Sequence, residues 1–314
     1  MKVSGQFNLN IKNQQIHLPF LEEFEVELWM KREDQIHPEI SGNKFRKLKY
    51  NVVEASKQNK QILLTFGGAY SNHILATAAT GKLNNLQTIG VIRGEELASN
   101  LEKVLQENQT LAGAKSFGME FEFVSREVYK NKSSEMFLNE LKKKFGDFYL
   151  IPEGGTNILA IKGCEEILTV EDEKFDYICL AVGTGGTISG IINSVKDYQN
   201  VIGFPALKGD FLRKEIKNLI SSANQWNIEE SYHFGGYGKF NSNLIHFINE
   251  FKEETSIQLD PIYTGKMMFG VIDLIKRGKF PKGTKILTIH TGGIQGISGV
   301  NKKLRKKNLE EIKL

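Results

Sequence analysis

The sequence predicts an α/β protein with a mostly parallel sheet and helices on both of its faces. Short runs rich in β-branched and aromatic residues alternate with longer segments of helical periodicity. Pairs of glycines follow five of the predicted strands, as expected where backbone approaches a ligand at the carboxyl ends of parallel strands. With 314 residues, the chain is long enough for one large or two medium domains.

The predicted elements follow one another in a regular order. The strands are predicted in a run near the N-terminus, EVELWMKRE, and then at 61–66, 87–92, 119–124, 147–151, 177–182, 201–204, 232–236 and 285–290. The helices are predicted from Asn43, over 71–83, near 99–110, near 132–145, over 157–168, over 187–196, and twice within 241–278. This alternation is typical of βαβ units.

Composition and charge exclude several classes of protein. The net charge is +4, and the basic C-terminal segment NKKLRKKNLEEIKL favours a solvated helix face over a nucleic-acid site, because no aromatic residues interleave the charges. The segment MKVSGQFNLNIK lacks the apolar core of a signal peptide, and no membrane-spanning run occurs. Cys164 and Cys179 are predicted to be buried thiols, and the histidines show no metal-ligand spacing. We expect a cytoplasmic protein that binds no metal, nucleic acid or membrane.

The segment GNKFRKLKY concentrates positive charge. Its cations are Lys44, Arg46, Lys47 and Lys49. A helix is predicted to begin here, with Gly42 allowing a tight turn and Asn43 acting as the N-cap. Lys44 then lies in the first turn, where the helix dipole and nearby cations lower its pKa. A neutral lysine amine forms a Schiff base with an aldehyde, and a phosphorylated aldehyde would place an anion beside Lys47. A solvated basic face is the alternative.

The segment AVGTGGTISG follows a predicted strand and begins a helix. Backbone N–H groups at a helix N-terminus bind anions, and threonine hydroxyls add to them here. The dinucleotide fingerprint is disfavoured because the glycine spacing differs, and a Walker-type loop is excluded because no Gly-Lys-Ser/Thr follows. The segment therefore predicts a site for one phosphate, formed by Gly183, Thr184, Gly185, Gly186 and Thr187.

The segment GGAYSNH places Ser71, Asn72 and His73 at the start of another predicted helix. The exposed N–H groups of such a helix start suit a carboxylate. Ser71 has two interpretations on this evidence. One is a nucleophile or proton shuttle, and the other, commoner for a Ser-Asn pair, is a helix cap.

Together these segments resemble a family of pyridoxal-phosphate (PLP) enzymes that includes D-cysteine desulfhydrase and 1-aminocyclopropane-1-carboxylate (ACC) deaminase. The resemblance extends from LPFLEEFEVELWMKREDQ to HTGGIQG. SGNKFRKLKYN is similar to the family's lysine motif, which implies that Lys44 forms the Schiff base with PLP and that Lys47 contacts its phosphate. VGTGGT is similar to the phosphate loop. GGAYSNH is similar to the substrate-carboxylate loop, which implies that Ser71, Asn72 and His73 contact substrate, that Ser71 is catalytic, and that Asn72 also bonds the cofactor's ring hydroxyl.

Further motifs complete the resemblance. GGYG and DPIYTGK are similar to two active-site motifs, which implies that Tyr237 and Tyr263 shape the substrate pocket and act on the leaving group. Aromatic packing is the alternative for each tyrosine. The resemblance also implies that Thr264 and Thr291 contact the cofactor.

The resemblance implies a tryptophan-synthase-β-like fold, fold type II of the PLP enzymes. This fold has two open, twisted, mostly parallel sheets flanked by helices, with the cofactor in the cleft between two domains. IPEGGTN resembles the crossing between the domains. We therefore predict a large PLP-binding domain of residues 1–47 and 155–314, a small α/β domain of residues 48–154, and a homodimer.

Two positions distinguish the branches of this family. In ACC deaminases the motif matching YTGK reads Tyr-Glu-Gly-Lys, and its acid pairs with the pyridine nitrogen of the cofactor. Here the residue is Thr264, and Thr291 stands where deaminases tend to have leucine. We therefore expect α,β-elimination on a small amino acid, foremost D-cysteine to pyruvate, hydrogen sulfide and ammonia. ACC deamination to 2-oxobutanoate and ammonia is the alternative. A Rossmann-like nucleotide-binding or regulatory module is the non-enzyme alternative.

Overall fold

The computed structural model describes residues 7–314. The strands outside residues 62–151 form one six-stranded sheet. Its strands are β1 (Asn13–Ile16), β2 (Glu27–Lys31), β7 (Tyr177–Val182), β8 (Asn200–Pro205), β9 (Trp226–Ile228) and β10 (Lys285–Ile289). They lie in the order β1-β2-β10-β7-β8-β9. Within this sheet β1 and β2 pair antiparallel, and the remaining pairs are parallel.

A second, four-stranded sheet is formed by the intervening chain. Its strands are β3 (Ile62–Gly68), β4 (Gln87–Arg93), β5 (Glu120–Val124) and β6 (Tyr149–Ile151). Their order is β5-β4-β3-β6, and all of the pairs are parallel. The fold class predicted from the sequence is therefore confirmed.

Helices cover both sheets. Those of the first half are α1 (Phe20–Glu23), α2 (Asn43–Lys57), α3 (Asn72–Asn84), α4 (Leu101–Glu107), α5 (Gln109–Ser116), α6 (Arg126–Lys130) and α7 (Glu135–Phe145). Those of the second half are α8 (Ile158–Cys164), α9 (Gly186–Ser194), α10 (Phe211–Leu219), α11 (Ser242–Thr255), α12 (Thr264–Lys276) and α13 (Ile297–Arg305).

The central strands are buried on both faces, which explains their nearly continuous apolar sequences. In β7, Ile178 and Leu180 pack into one cluster with residues of α9, whereas Cys179 and Ala181 pack into another with residues of α12. In β3, Leu63 and Leu64 likewise enter clusters on opposite faces. A parallel sheet covered on both faces leaves the carboxyl ends of its strands as the place where loops gather to form a site.

Three sequence predictions of local structure are wrong. The segment 232–236 is not a strand: Tyr232 ends a 3-10 turn and its hydroxyl donates to Asp273 in α12. The short strand β9 lies just before this turn, so Gly235 and Gly236 do not follow a strand directly. The helix predicted near 99–110 is two helices, because the side chain of Asn108 accepts from the backbone N–H of Leu111 and caps a new one. The helix predicted near 132–145 is shorter, and another, α6, precedes it.

The two sheets meet through α2 and α8. Arg46 of α2 donates to Glu33, and Lys49 of the same helix pairs with Glu166 at 2.5 Å, just beyond the end of α8. All strands of the four-stranded sheet lie between residues 62 and 151. The predicted boundary between residues 47 and 48 falls inside α2, and the division into two domains stays a prediction.

Both cysteines are free and buried, as the sequence predicts. Burial raises the pKa of the Cys164 thiol to about 11, with smaller effects from nearby lysines, so this thiol is protonated at neutral pH. None of the helices within residues 7–314 is long and apolar enough to span a bilayer.

Candidate active site

A pit between the two sheets gathers most of the residues selected from the sequence. Its volume is about 650 Å³ when the solvent space at its open mouth is included. The predicted site residues that line it are Lys44, Lys47, Asn72, Gly183, Thr184, Gly185, Thr187, Tyr263 and Thr291. The predicted residues that do not line it are Ser71, His73, Gly186, Tyr237 and Thr264.

Lys44 reaches the pit because α2 begins at a turn that only glycine can make. Gly42 has a φ of 59°, and a Cβ on it would lie 2.1 Å from the carbonyl oxygen of Thr291. Gly42, and not Asn43, is the N-cap residue of α2. The prediction of Asn43 as the cap is therefore wrong: its side-chain amide donates to Thr187 Oγ1 at 2.9 Å.

The amine of Lys44 is easily deprotonated. Burial in the pit, followed by the neighbouring charge of Lys47, lowers the pKa of Lys44 to about 7. From the sequence, the helix dipole and the nearby cations are expected to lower the pKa of Lys44, but burial lowers it more than the charge of Lys47 does. The neutral form of this amine is therefore far more accessible at neutral pH than that of an ordinary lysine.

The four clustered cations have separate environments. Arg46 forms a two-pronged ion pair with buried Glu33, and Lys49 pairs with Glu166, so neither contributes to the pit. Lys47 donates to the carbonyl of Gly154 at 3.1 Å and to Thr156 Oγ1 at 3.2 Å. Lys44 and Lys47 alone of this cluster line the pit. Two of the four cations, Arg46 and Lys49, thus form structural ion pairs, and the other two line the pit.

The glycine-threonine loop connects β7 to α9. The first N–H groups of a helix lack partners within it, so the start of α9 presents donors toward the pit. Thr184 Oγ1 lies 2.5 Å from Thr156 Oγ1, which in turn accepts from Lys47. Sequence reasoning missed Thr156, although its position directly after a glycine pair, in IPEGGTN, was a usable signal. Lys47, Thr156 and Thr184 form a continuous polar chain beside the loop.

The loop GGAYSNH places its three polar residues differently. Ser71 occupies the N-cap position of α3, but its side chain makes no capping bond. Asn72 lines the pit, and its buried Oδ1 atom has no hydrogen-bond partner in the described part of the chain. A buried acceptor of this kind indicates a missing donor.

His73 does not reach the pit. Its ring is buried, and Nε2 lies 2.8 Å from Thr65 Oγ1. Burial, then the charges of Lys44 and Lys47, holds the pKa of His73 well below its ordinary value, so the ring is neutral. This placement corrects the expectation that His73 contacts substrate; the residue packs beneath the loop.

The two tyrosines form a pair at the rim of the pit. The ring centroids of Tyr237 and Tyr263 are 6.2 Å apart in an edge-to-face arrangement. Tyr263 lines the pit, whereas Tyr237 is half-exposed beside it. Burial, then the neighbouring Tyr237, raises the pKa of Tyr263 well above its ordinary value. The hydroxyl of Tyr263 is therefore a proton donor at neutral pH.

Thr264 is fully buried and bonded to a carboxylate that sequence reasoning missed. Its Oγ1 donates to Asp260 Oδ2 at 2.7 Å and accepts from the backbone N–H of Asp260 at 3.0 Å. Asp260 also accepts the backbone N–H groups of residues 262, 263 and 264 at the start of α12. An aspartate just before a helix is a recognisable capping signal. Thr291, at the end of β10, lines the pit and is nearly buried.

These residues fit PLP. The amine of Lys44, with its lowered pKa, suits the aldehyde of PLP. The buried amide oxygen of Asn72 suits its ring hydroxyl, and the N–H groups at the start of α9 suit its phosphate. Among residues 7–314, no group of three or more His, Cys, Asp or Glu side chains is arranged to hold a metal ion.

Comparison with known proteins identifies the family. The family model described as "Pyridoxal-phosphate dependent enzyme" matches residues 8–292. A bifunctional D-cysteine desulfhydrase/ACC deaminase, mitochondrial, of Arabidopsis thaliana is 34% identical over 87% of this chain and 73% of its own. An ACC deaminase of a Bradyrhizobium species is 29% identical over 87% of this chain and 88% of its own.

Solved structures agree with the relatives. A crystal structure of an ACC deaminase homologue superposes with a TM-score of 0.80 at 28% identity, covering 96% of this chain and 94% of that one. A hydrogen sulfide-producing enzyme from Fusobacterium nucleatum has a TM-score of 0.65 at 17% identity over 91% and 96% of the two chains, which supports the fold. The chain belongs to the family of pyridoxal-phosphate-dependent enzymes, with relatives named ACC deaminase and D-cysteine desulfhydrase.

Proposed function

We propose that the protein removes the thiol group of D-cysteine by PLP-dependent α,β-elimination, giving pyruvate, hydrogen sulfide and ammonia. The observation that carries this proposal is the amine of Lys44, with its pKa lowered to about 7, in one pit with Asn72 and the phosphate loop. PLP, when bound, withdraws electrons from the substrate's α-carbon. A neutral amine beside that carbon is suited to take its proton.

The other predicted residues in the pit and beside it have complementary roles in this proposal. Lys47 and the N–H groups from Gly183 to Thr187 hold the cofactor's phosphate, and Asn72 bonds its ring hydroxyl. Ser71, whose hydroxyl is not used for capping, binds the substrate. Substrate placed by these contacts presents its α-carbon to Lys44 and its β-substituent to the rim of the pit.

The tyrosine pair acts on the departing sulfur. Because the hydroxyl of Tyr263 keeps its proton at neutral pH, it donates a hydrogen bond to a thiolate as that charge develops. The edge-to-face contact with Tyr237 holds the ring of Tyr263 in place. The pair thus stabilises the charge that the elimination creates.

D-cysteine is preferred over ACC because no acidic side chain occupies position 264. Thr264 has a hydroxyl, which donates a hydrogen bond to Asp260. Because residue 264 offers no carboxylate to the pyridine nitrogen, the ring is a weaker electron acceptor. A weaker acceptor suffices to expel a thiolate but is less suited to opening a cyclopropane ring. ACC deamination is the second candidate, supported by the names of the relatives.

Parallel assays of the two amino acids test this assignment. We expect the yellow, PLP-loaded protein to release sulfide and pyruvate from D-cysteine and no 2-oxobutanoate from ACC. The control is Lys44→Ala, which should remain folded and lose about 10²- to 10⁴-fold in turnover, as for removal of an acid-base group. A higher kcat/KM for ACC would overturn the substrate assignment, and sulfide release by Lys44→Ala at the wild-type rate would overturn the role of Lys44.

A further inference from the structure

Beside the loop GGAYSNH lies a guanidinium group that has no acidic partner among residues 7–314. Arg93 is the last residue of β4, and it pairs in register with Gly68, which begins the loop that carries Ser71 and Asn72. Its terminal nitrogen is 3.7 Å from the position that a Cβ on Gly68 would occupy. The side chain is exposed and, among residues 7–314, makes neither a hydrogen bond nor an ion pair. Its positive charge is therefore available to a ligand.

The position of Arg93 is fixed by stacking. Its guanidinium lies 5.6 Å from the ring centroid of Tyr129, a geometry that arginine favours. The hydroxyl of Tyr129 donates to Glu153 at 2.8 Å, and Glu153 also pairs with Lys132 at 3.1 Å. The carboxylate of Glu153 is thus already satisfied by these two partners, and the charge of Arg93 is left uncompensated.

Arg93 lies near the rim of the pit, because its stacking partner Tyr129 donates to Glu153, the residue before Gly154, and Gly154 lines the pit. Burial raises the pKa of Tyr237 and the charge of Arg93 partly offsets this, while the ring of Tyr237 packs edge-to-face on Tyr263. Tyr263 lines the pit that contains Lys44 and Asn72. A long β-substituent that leaves the pit past Gly154 would therefore approach the guanidinium of Arg93.

We propose that Arg93 selects amino acids whose β-substituent ends in an anionic group, such as a sulfonate, phosphate or carboxylate. This inference rests on the proposed elimination and extends its substrate class beyond D-cysteine. An arginine binds such groups through two parallel hydrogen bonds, and its charge also stabilises an anion as it departs.

The reaction of such a substrate balances without another reagent. The Cα–H and Cβ–X bonds break, and the group X leaves with the bonding electron pair. One water converts the remaining three-carbon fragment to pyruvate and ammonium. For S-sulfocysteine, X is thiosulfate and one proton is released to solution.

Three substrates, of which two are a matched pair, test the role of Arg93. S-sulfocysteine carries a terminal sulfonate, S-methylcysteine has a neutral group in its place, and β-chloroalanine has a small neutral substituent. Each is assayed in its D and L forms with PLP-loaded wild type and Arg93→Gln by pyruvate formation. We expect Arg93→Gln to lower kcat/KM for S-sulfocysteine by about tenfold or more, as for loss of a charged hydrogen bond, and to change the other two by less than about twofold.

Two further variants serve as controls. Arg126→Gln removes an exposed arginine of α6, three residues before Tyr129, that pairs with Glu96 at 3.0 Å. It should leave all three substrates unaffected. Arg93→Lys keeps the charge without the planar fork, and we expect it to retain part of the preference for S-sulfocysteine.

The outcomes separate this inference from the proposed function. An equal loss for all three substrates would place Arg93 at the shared α-carboxylate, and no loss for any would leave it a stacked surface residue; either result overturns the inference. If the wild type forms no pyruvate from β-chloroalanine, the elimination itself fails. Titration of the visible absorption of the bound cofactor with each amino acid then still measures whether Arg93 favours the anionic one.

Discussion

At the scale of single residues, Lys44 and Lys47 lie one helical turn apart and have different chemistry. The amine of Lys47 donates to Gly154 and Thr156, whereas that of Lys44 makes no such bond among residues 7–314. Burial and the charge of Lys47 together make the protonated form of Lys44 costly. A free, easily deprotonated amine is what Schiff-base formation requires.

The lowered pKa of Lys44 predicts how the stability of the cofactor-free protein depends on pH. Its pKa falls from 10.5 to about 7 on folding, so between these values the unfolded chain holds a proton that the folded chain has released. Stability therefore rises with pH across this window. We expect Lys44→Met to show a smaller rise in the free energy of unfolding between pH 7 and 9.5, measured by urea denaturation. Equal rises in both proteins would contradict the burial of a destabilised cation.

At the scale of elements, the start of α12 depends on one carboxylate. Asp260 accepts three backbone N–H groups and the hydroxyl of Thr264, and its side chain is fully buried. These bonds satisfy the donors that a helix start leaves open. They also fix Tyr263 and Thr264, so the residues of the motif DPIYTGK act as one unit.

Removal of this carboxylate should be costly. We expect Asp260→Ala to lower the free energy of unfolding by about 2 to 3 kcal/mol, because several buried donors lose their acceptor. Asn241→Ala is the matched control: it removes a cap of α11 that accepts one N–H, from Leu244, and should cost about 1 kcal/mol. Guanidinium unfolding of the three proteins measures both values. Equal losses would show that the extra bonds of Asp260 contribute nothing.

At the scale of the whole molecule, the pit proposed to hold the cofactor lies between the two sheets. Asn72 follows β3 of the four-stranded sheet, whereas the glycine-threonine loop follows β7 of the six-stranded one. A ligand in this pit contacts residues that follow strands of both sheets, and these sheets otherwise meet through α2 and α8. Cofactor binding should therefore stabilise the whole fold.

Removal of PLP should lower the thermal midpoint. At a ligand concentration of about 100 times Kd, the stabilisation is about 2.7 kcal/mol, which for a chain of this length corresponds to a shift of about 4 °C. Scanning calorimetry of the loaded and cofactor-free forms measures it. Pyridoxal, which lacks the phosphate, is the matched ligand and should give a smaller shift. Equal shifts for the two ligands would argue against the phosphate site at the start of α9.

The sequence predicted the order of most elements and the positions of the main motifs because both are local. The alternation of apolar runs and helical periods reports which backbone is buried within a few residues. Errors arose where tertiary contacts determine the local structure. The strand β9 is only three residues long and is held by pairing with β8. Tyr232 is apolar enough to suggest a strand over 232–236, but it packs in the core against α12 instead. Such short elements carry too little local pattern to identify.

The sequence by itself determined the fold class and the cofactor, and it selected the two lysines and the glycine-threonine loop that the structure brings into one pit, since each depends on residue type and spacing along a short segment. Only the tertiary structure decided that burial is the main cause of the lowered pKa of Lys44, that Asn43 reaches Thr187 across 144 residues, and that Arg93 has no acidic partner among residues 7–314. Desolvation and charge pairing depend on which distant segments surround a group, and no short stretch of sequence contains that information.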